Sequence, residues 1–155
     1  MANLKIAAGL LMYRKKNGKI EVLLVHNGGP YYAKVDDEAW SFPKGEVNEG
    51  EDLLAAAKRE FKEETSFDVP DAEFISLGTV PRPGKIVHVW AFEGDCDPSR
   101  LKSNTCMVEW PPRSGKKIEI PEADRGDFFD LVTARKKLFI YLAPIIDEFE
   151  KRLKM

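Results

Sequence analysis

Cysteine is scarce in this chain. Only Cys96 and Cys106 occur among 155 residues, with no CxxC spacing, which excludes a disulfide framework and a cysteine-rich zinc site. Long apolar runs are absent as well. None approaches the roughly 20 residues that span a bilayer, so no membrane association is expected. Met1-Ala2-Asn3-Leu4-Lys5 lacks the basic and apolar regions of a secretion signal, and a cytoplasmic location follows as the default expectation. Basic excess is missing too. Lysine and arginine number 24 against 26 acidic residues, a net charge of −2, which argues against a dedicated nucleic-acid binder. What remains is an ordinary globular composition, 43% hydrophobic and 32% charged, without internal repeats or a dividing linker. A single domain over residues 1–155 is the expectation, as a monomer or homodimer.

Along the chain, the apolar stretch Lys5–Tyr13 reads as a buried strand. Asn17-Gly18 signals a hairpin turn into a returning strand over Ile20–Val25. His26-Asn27-Gly28-Gly29-Pro30 breaks that strand, and Tyr31–Glu38 reads as an exposed loop. Trp40-Ser41-Phe42-Pro43 suggests a short strand stopped by its proline, and Lys44–Gly50 a loop. From about Glu51 to Glu64 helix formers run without a breaker. Two more strands are expected near Glu73–Val80 and Ile86–Phe92, around a Pro81–Gly84 turn. The stretch Asp95–Lys117 looks irregular, Lys117–Ile120 reads as a final strand, and Leu131–Leu138 and Ala143–Lys154 as helices. The result is a mixed α/β (α+β) domain.

The helix over 51–64 carries the chemistry. Glu60 and Glu64 lie one turn apart on one face, with Glu63 beside Glu60. Leu54, Ala57 and Phe61 fill the adjoining arc and can anchor the helix to a sheet. Carboxylates so gathered repel one another unless a cation sits among them, and an all-oxygen donor set favours Mg2+ or Mn2+. Such ions polarise phosphoryl oxygens, the chemistry of pyrophosphate hydrolysis.

Gly45, five residues, Glu51, seven residues, then Arg59-Glu60-Phe61-Lys62-Glu63-Glu64-Thr65-Ser66-Phe67 resembles the Nudix box, G-x5-E-x7-R-E-U-x-E-E-x-G-U with U apolar. Every fixed position agrees except Ser66, which stands where the family has glycine. The resemblance implies an α/β/α sandwich with a mixed central sheet, and hydrolysis of a nucleoside diphosphate derivative. It implies metal held by Glu60, Glu63 and Glu64, with the Gly45 carbonyl as a further ligand. Arg59 would steer these carboxylates and pair with Glu51. The general base is Glu63 or a loop glutamate late in the chain, Glu122. Serine at 66 either accepts a left-handed backbone or uses another cap; no ligand is lost with the glycine.

Trp40-Ser41-Phe42-Pro43-Lys44-Gly45-Glu46 resembles the segment before the box in diadenosine tetraphosphate hydrolases, so a dinucleoside polyphosphate is the leading substrate class. Lys44, Arg82, Lys85 and Arg113 are candidate phosphate contacts. Trp40 is a candidate base contact, with Tyr31, Tyr32 and Trp90 as further aromatics, and core packing the competing role for both tryptophans. His88 reads as structural or substrate-facing rather than as a metal ligand, and His26 carries no signal. A nucleoside triphosphate, oxidised or not, and a diphosphoinositol stay open as substrates. A non-catalytic nucleotide-binding module is the alternative of another class. Retention of Glu51, Glu60, Glu63 and Glu64 favours the enzyme.

Overall fold

The computed structural model describes residues 5–155; the reading of Met1–Leu4 as free of a secretion signal falls outside them. Strands β1 (Lys5–Lys16) and β2 (Lys19–Asn27) form the expected hairpin. Asn17 and Gly18 close it with φ of 52° and 76°, the paired left-handed backbone that a two-residue turn between twisted strands needs. The hairpin pairs from Tyr13↔Val22 to Lys16↔Lys19 and then splays. The opening is filled by β3 (Trp40–Ser41), paired to β2, and β4 (Lys44–Glu46), paired to β1 at Ala7–Gly9. Gly9 permits that wedge, because a Cβ there would stand 2.7 Å from Lys44 Cβ and 2.8 Å from the Phe42 ring. The loop expected over 44–50 thus begins as a strand.

β5 (Ile75–Arg82) and β6 (Lys85–Glu93) make a second hairpin, and β6 runs parallel to β1. The expected turn at Pro81–Gly84 is shorter than its sequence suggests. Pro81 and Arg82 remain in register with Ile86 and Lys85, which the sheet tolerates because β5 is its edge and proline there forfeits no ladder bond to a further strand. The stretch read as irregular holds β7 (Thr105–Glu109), which joins β8 (Lys117–Pro121) in a separate two-stranded sheet. β9 (Ala123–Asp130) then returns to pair with β2. The main sheet is seven-stranded and mixed.

Both faces of the sheet are covered. Along β1, Ala7, Leu11 and Tyr13 point to one side and Ala8, Leu10 and Met12 to the other, the period-2 alternation of a strand buried twice. Helix α1 (Leu53–Thr65) packs Ala56, Ala57 and Phe61 onto the second set, with the Phe61 ring 5.5 Å from Phe92. Burying each such phenylalanine stabilises the fold by ~1.5–3 kcal/mol. Helices α2 (Leu131–Lys137) and α3 (Ile145–Arg152) cover the other face through Ala134, Ile145, Ile146 and Phe149. The arrangement is the α/β/α sandwich that the resemblance implied. No helix among the described residues is long and apolar enough to cross a membrane.

Candidate active site

Helix α1 starts at Asp52, whose side chain accepts from the Ala55 N–H at 3.0 Å, a standard N-cap. It stops at Ser66, which takes φ 67° and donates its N–H to the Lys62 carbonyl at 2.8 Å. Serine therefore performs the left-handed C-cap that glycine would perform. Its hydroxyl also donates to the Lys102 carbonyl, a contact that glycine lacks.

Between those caps the helix presents its carboxylates around one cation. Arg59 Nε and Nη2 donate to the two Glu51 oxygens at 2.8 and 2.9 Å. Nη1 donates to Glu60 at 2.8 Å and reaches both oxygens of Glu63 at 3.3 Å. Nη2 also donates to the Glu46 carbonyl at 3.1 Å. Such bidentate pairing fixes direction as well as charge. The Arg59 fork, helped by the Asn48 N–H, holds the Glu51 carboxyl down at about 2. Arg59 thus ties the helix to β4 and to the turn before α1.

Glu60 and Glu64 are buried on the helix face that meets β4. A Cβ on Gly45 would lie 2.1 Å from the Glu60 carboxyl carbon and Oε2, so glycine is the residue that lets this carboxylate lie against the strand. The Lys44 N–H donates to Glu64 at 3.2 Å. These groups line an open cleft of about 590 Å3 together with Gly45, Lys85 and Glu122. Burial pushes the Glu64 carboxyl up to about 8 against the pull of Lys44, and Glu122 and Glu60 push it further. Burial raises Glu122 and Glu60 as well, with the Glu63 charge adding to each. The same burial lowers the Lys44 ammonium, which Glu64 opposes.

Among the described residues no three His, Cys, Asp or Glu side chains close a metal cage as they stand, since Glu63 is turned to Arg59 and 41% exposed. The donor set nevertheless suits a hard divalent ion. It is all oxygen, and three crowded carboxyls forced towards neutrality are the groups that a cation would restore to charge.

Glu122, the other candidate for the general base, lies in the cleft. It sits between β8 and β9 in the cleft wall, its N–H on the Asn104 carbonyl and its carbonyl accepting from Gly28. Of the expected phosphate contacts, Lys44 and Lys85 line the cleft. The Arg82 guanidinium lies 5.2 Å from the Tyr141 ring centre. Arg113 is exposed in the turn after β7, where Glu109 accepts its N–H. The base contact expected of Trp40 is corrected by the structure: it is 3% exposed, donates its indole N–H to Asp36 and meets Phe129 edge to face. The wedge between β1 and β2 buries it. His26, without signal in the sequence, is wholly buried between Asp124 and the Val35 carbonyl. The far wall of the cleft combines Tyr31 and Tyr32, from the segment read as an exposed loop, with Cys106, Val108 and Ile120 of the β7–β8 hairpin, whose first strand lay in the stretch read as irregular. Alternation at Cys106/Val108 and Ile118/Ile120 around a Pro-Pro-Arg-Ser-Gly turn was the available signal.

Residues 3–132 match the NUDIX domain family. Over 60 residues the chain is 48% identical to the asymmetrical bis(5'-nucleosyl)-tetraphosphatase of Caenorhabditis elegans, a stretch covering 39% of each protein. Over 62 residues it is 40% identical to Nudix hydrolase 5 of Arabidopsis thaliana, covering 40% of this chain and 19% of that protein. These matches therefore span well under two thirds of either relative. Among solved structures, the binary complex of C. elegans Ap4A hydrolase superposes with a TM-score of 0.68 at 26% identity, over 97% of this chain and 98% of that one. The Nudix domain of Shewanella oneidensis NrtR with ADP ribose gives 0.62 at 15% identity, over 97% and 88%, a likeness of fold alone.

Proposed function

The chain belongs to the NUDIX domain family, and from that premise we propose that it is a Mg2+- or Mn2+-dependent pyrophosphohydrolase of dinucleoside polyphosphates such as diadenosine tetraphosphate. The observation that carries this reading is the cleft itself. Glu60, Glu64 and Glu122 share it with Lys44, Lys85 and the glycine-lined edge of β4. An acidic group for a cation beside a basic group for phosphates is what cleavage of a phosphoanhydride needs. The similarity over 60 residues to an asymmetrical tetraphosphatase supports the substrate class.

The cation, held by Glu60 and Glu64 with Glu63 and the Gly45 carbonyl as further oxygen donors, would polarise the phosphoryl oxygens and offset their charge. The protein supplies the rest. Lys44 and Lys85 bind phosphate oxygens as point charges. Arg59 positions: its fork keeps Glu51 ionised and fixes Glu51, Glu60 and Glu63 relative to β4. For the base we favour Glu122, because it lines the cleft while Glu63 is engaged by Arg59. A Glu122 oxygen takes the proton of the water that attacks phosphorus, and the P–O bond to the departing phosphate chain breaks.

Product analysis with Mg2+ tests this, using diadenosine tetraphosphate, nucleoside triphosphates and a diphosphoinositol in parallel. ATP and AMP from the first, lost on chelation, are expected. Turnover confined to another panel member would replace the substrate, and no metal-dependent turnover at all would sink the enzyme reading.

A further inference from the structure

Lys5 and Lys85 stand directly opposite each other on the parallel strands β1 and β6. Like charges in that relation destabilise a sheet unless an anion lies between them. Here the anion is Glu46. One of its oxygens, Oε1, is 3.4 Å from Lys5 Nζ and 3.5 Å from Lys85 Nζ. The main chain of Glu46 is fixed, paired to Ala7 on β1 and hydrogen-bonded to Arg59 through its carbonyl. Its side chain is half exposed, as is most of Lys5, and Glu46 and Lys85 both line the cleft. A single carboxylate oxygen bridging two ammonium groups has the charge and reach of a phosphate oxygen in the same position.

We propose that Lys5 and Lys85 form a phosphate subsite at the cleft mouth and that Glu46 is its built-in competitor, which an incoming polyphosphate displaces. The subsite extends the proposed function, on which it rests for the identity of the polyphosphate. Glu46 then sets affinity rather than chemistry. It weakens substrate and product alike at this subsite and keeps release fast. Nothing in the box pattern marks it, because Glu46 lies at a variable position of the box and Lys5 lies far outside it.

Each ion pair is partly exposed, so removing the competitor has a modest effect, about three- to tenfold for two such pairs together. The test uses inorganic tripolyphosphate binding by calorimetry to the metal-free full chain, for the wild type and for Glu46→Gln, Lys85→Gln and the double variant. Glu46→Gln is expected to bind about three- to tenfold tighter, and the double variant to gain less than about twofold over Lys85→Gln, since the coupling needs both partners. Lys5→Gln is expected to weaken binding. Unchanged or weaker binding by Glu46→Gln with an unaltered melting temperature would overturn the proposal. So would a gain that persists undiminished without Lys85, or no tripolyphosphate binding by any of the proteins. In turnover, Glu46→Gln is expected to lower KM without raising kcat, whereas a merely structural role would move the melting temperature and leave affinity alone. Tripolyphosphate binding with this pattern in a chain that cleaves no nucleotide would leave the subsite standing and remove the enzymatic reading.

Discussion

A single methyl group at Gly45 probes the Glu60 carboxylate without replacing it. Gly45 has an ordinary backbone, so Gly45→Ala adds no conformational strain, only contact. The new Cβ would sit 2.1 Å from the Glu60 carboxyl carbon and Oε2, and 2.5 Å from Oε1, short of ordinary van der Waals separation by more than about 1 Å. The obstructing atoms are the end of a flexible side chain, so Glu60 yields and the strand stays. Glu60 then gives up its 2.8 Å bond from Arg59, a charged hydrogen bond whose loss costs about 1.5–3 kcal/mol. Stability should fall by about that amount. If Glu60 holds the cation as proposed, activity should fall much further, because displacing such a group by about 1 Å costs on the order of a hundredfold. Gly28→Ala is the contrast. Its Cβ would meet the Pro121 carbonyl oxygen at 2.0 Å, and a backbone atom cannot swing aside, so the loop before β9 must move and the loss of stability should exceed about 3 kcal/mol. Denaturant melts and kcat/KM on both variants check this. Gly45→Ala retaining kcat/KM within about threefold would show that the Glu60 position does not matter.

Other outcomes follow from the same contacts. Glu60, Glu64 and Glu122 have carboxyls raised in the folded chain. The metal-free fold therefore binds more protons than the unfolded chain, and its stability should decline as pH rises from about 4.5 towards 8, by a few kcal/mol. Mg2+ should stabilise more at pH 8 than at pH 6; an equal shift in melting temperature at both would contradict this. Ser66→Ala removes the hydroxyl bond to Lys102 but keeps φ at 67°, so about 1–2 kcal/mol should be lost by chemical denaturation. Ser66→Gly, relieved of the left-handed cost, should lose less. His26→Ala should cost about 2–4 kcal/mol, since it leaves a cavity and strands Asp124 and the Val35 carbonyl. Glu122→Gln should lower kcat about 100-fold or more with KM little changed, read from initial rates.

Helix α1 and its carboxylates were legible because helix-forming residues and the apolar arc agree over Leu53–Thr65, and the spacing of fixed residues adds independent information. The hairpins were legible where Asn17-Gly18 marks a turn. β7 and β9 were not. β7 is short and half exposed, with turn-rich flanks that mask its alternation. β9 carries Asp124, Asp127 and Asp130, poor strand formers whose place is decided by pairing with β2 rather than by propensity. The burial of Trp40 depends on the opening between β1 and β2, a tertiary event. The Lys5–Glu46–Lys85 arrangement required the register of two strands distant in sequence, which no local pattern encodes.

The most direct test of the account is turnover of diadenosine tetraphosphate under saturating Mg2+ by wild type and by Glu60→Gln and Glu64→Gln, each first shown to melt cooperatively. The account predicts ATP and AMP from the wild type and at least a hundredfold loss in each variant. Folded variants that cleave as fast as the wild type would contradict it, because the carboxylates that line the cleft would then have no part in the reaction.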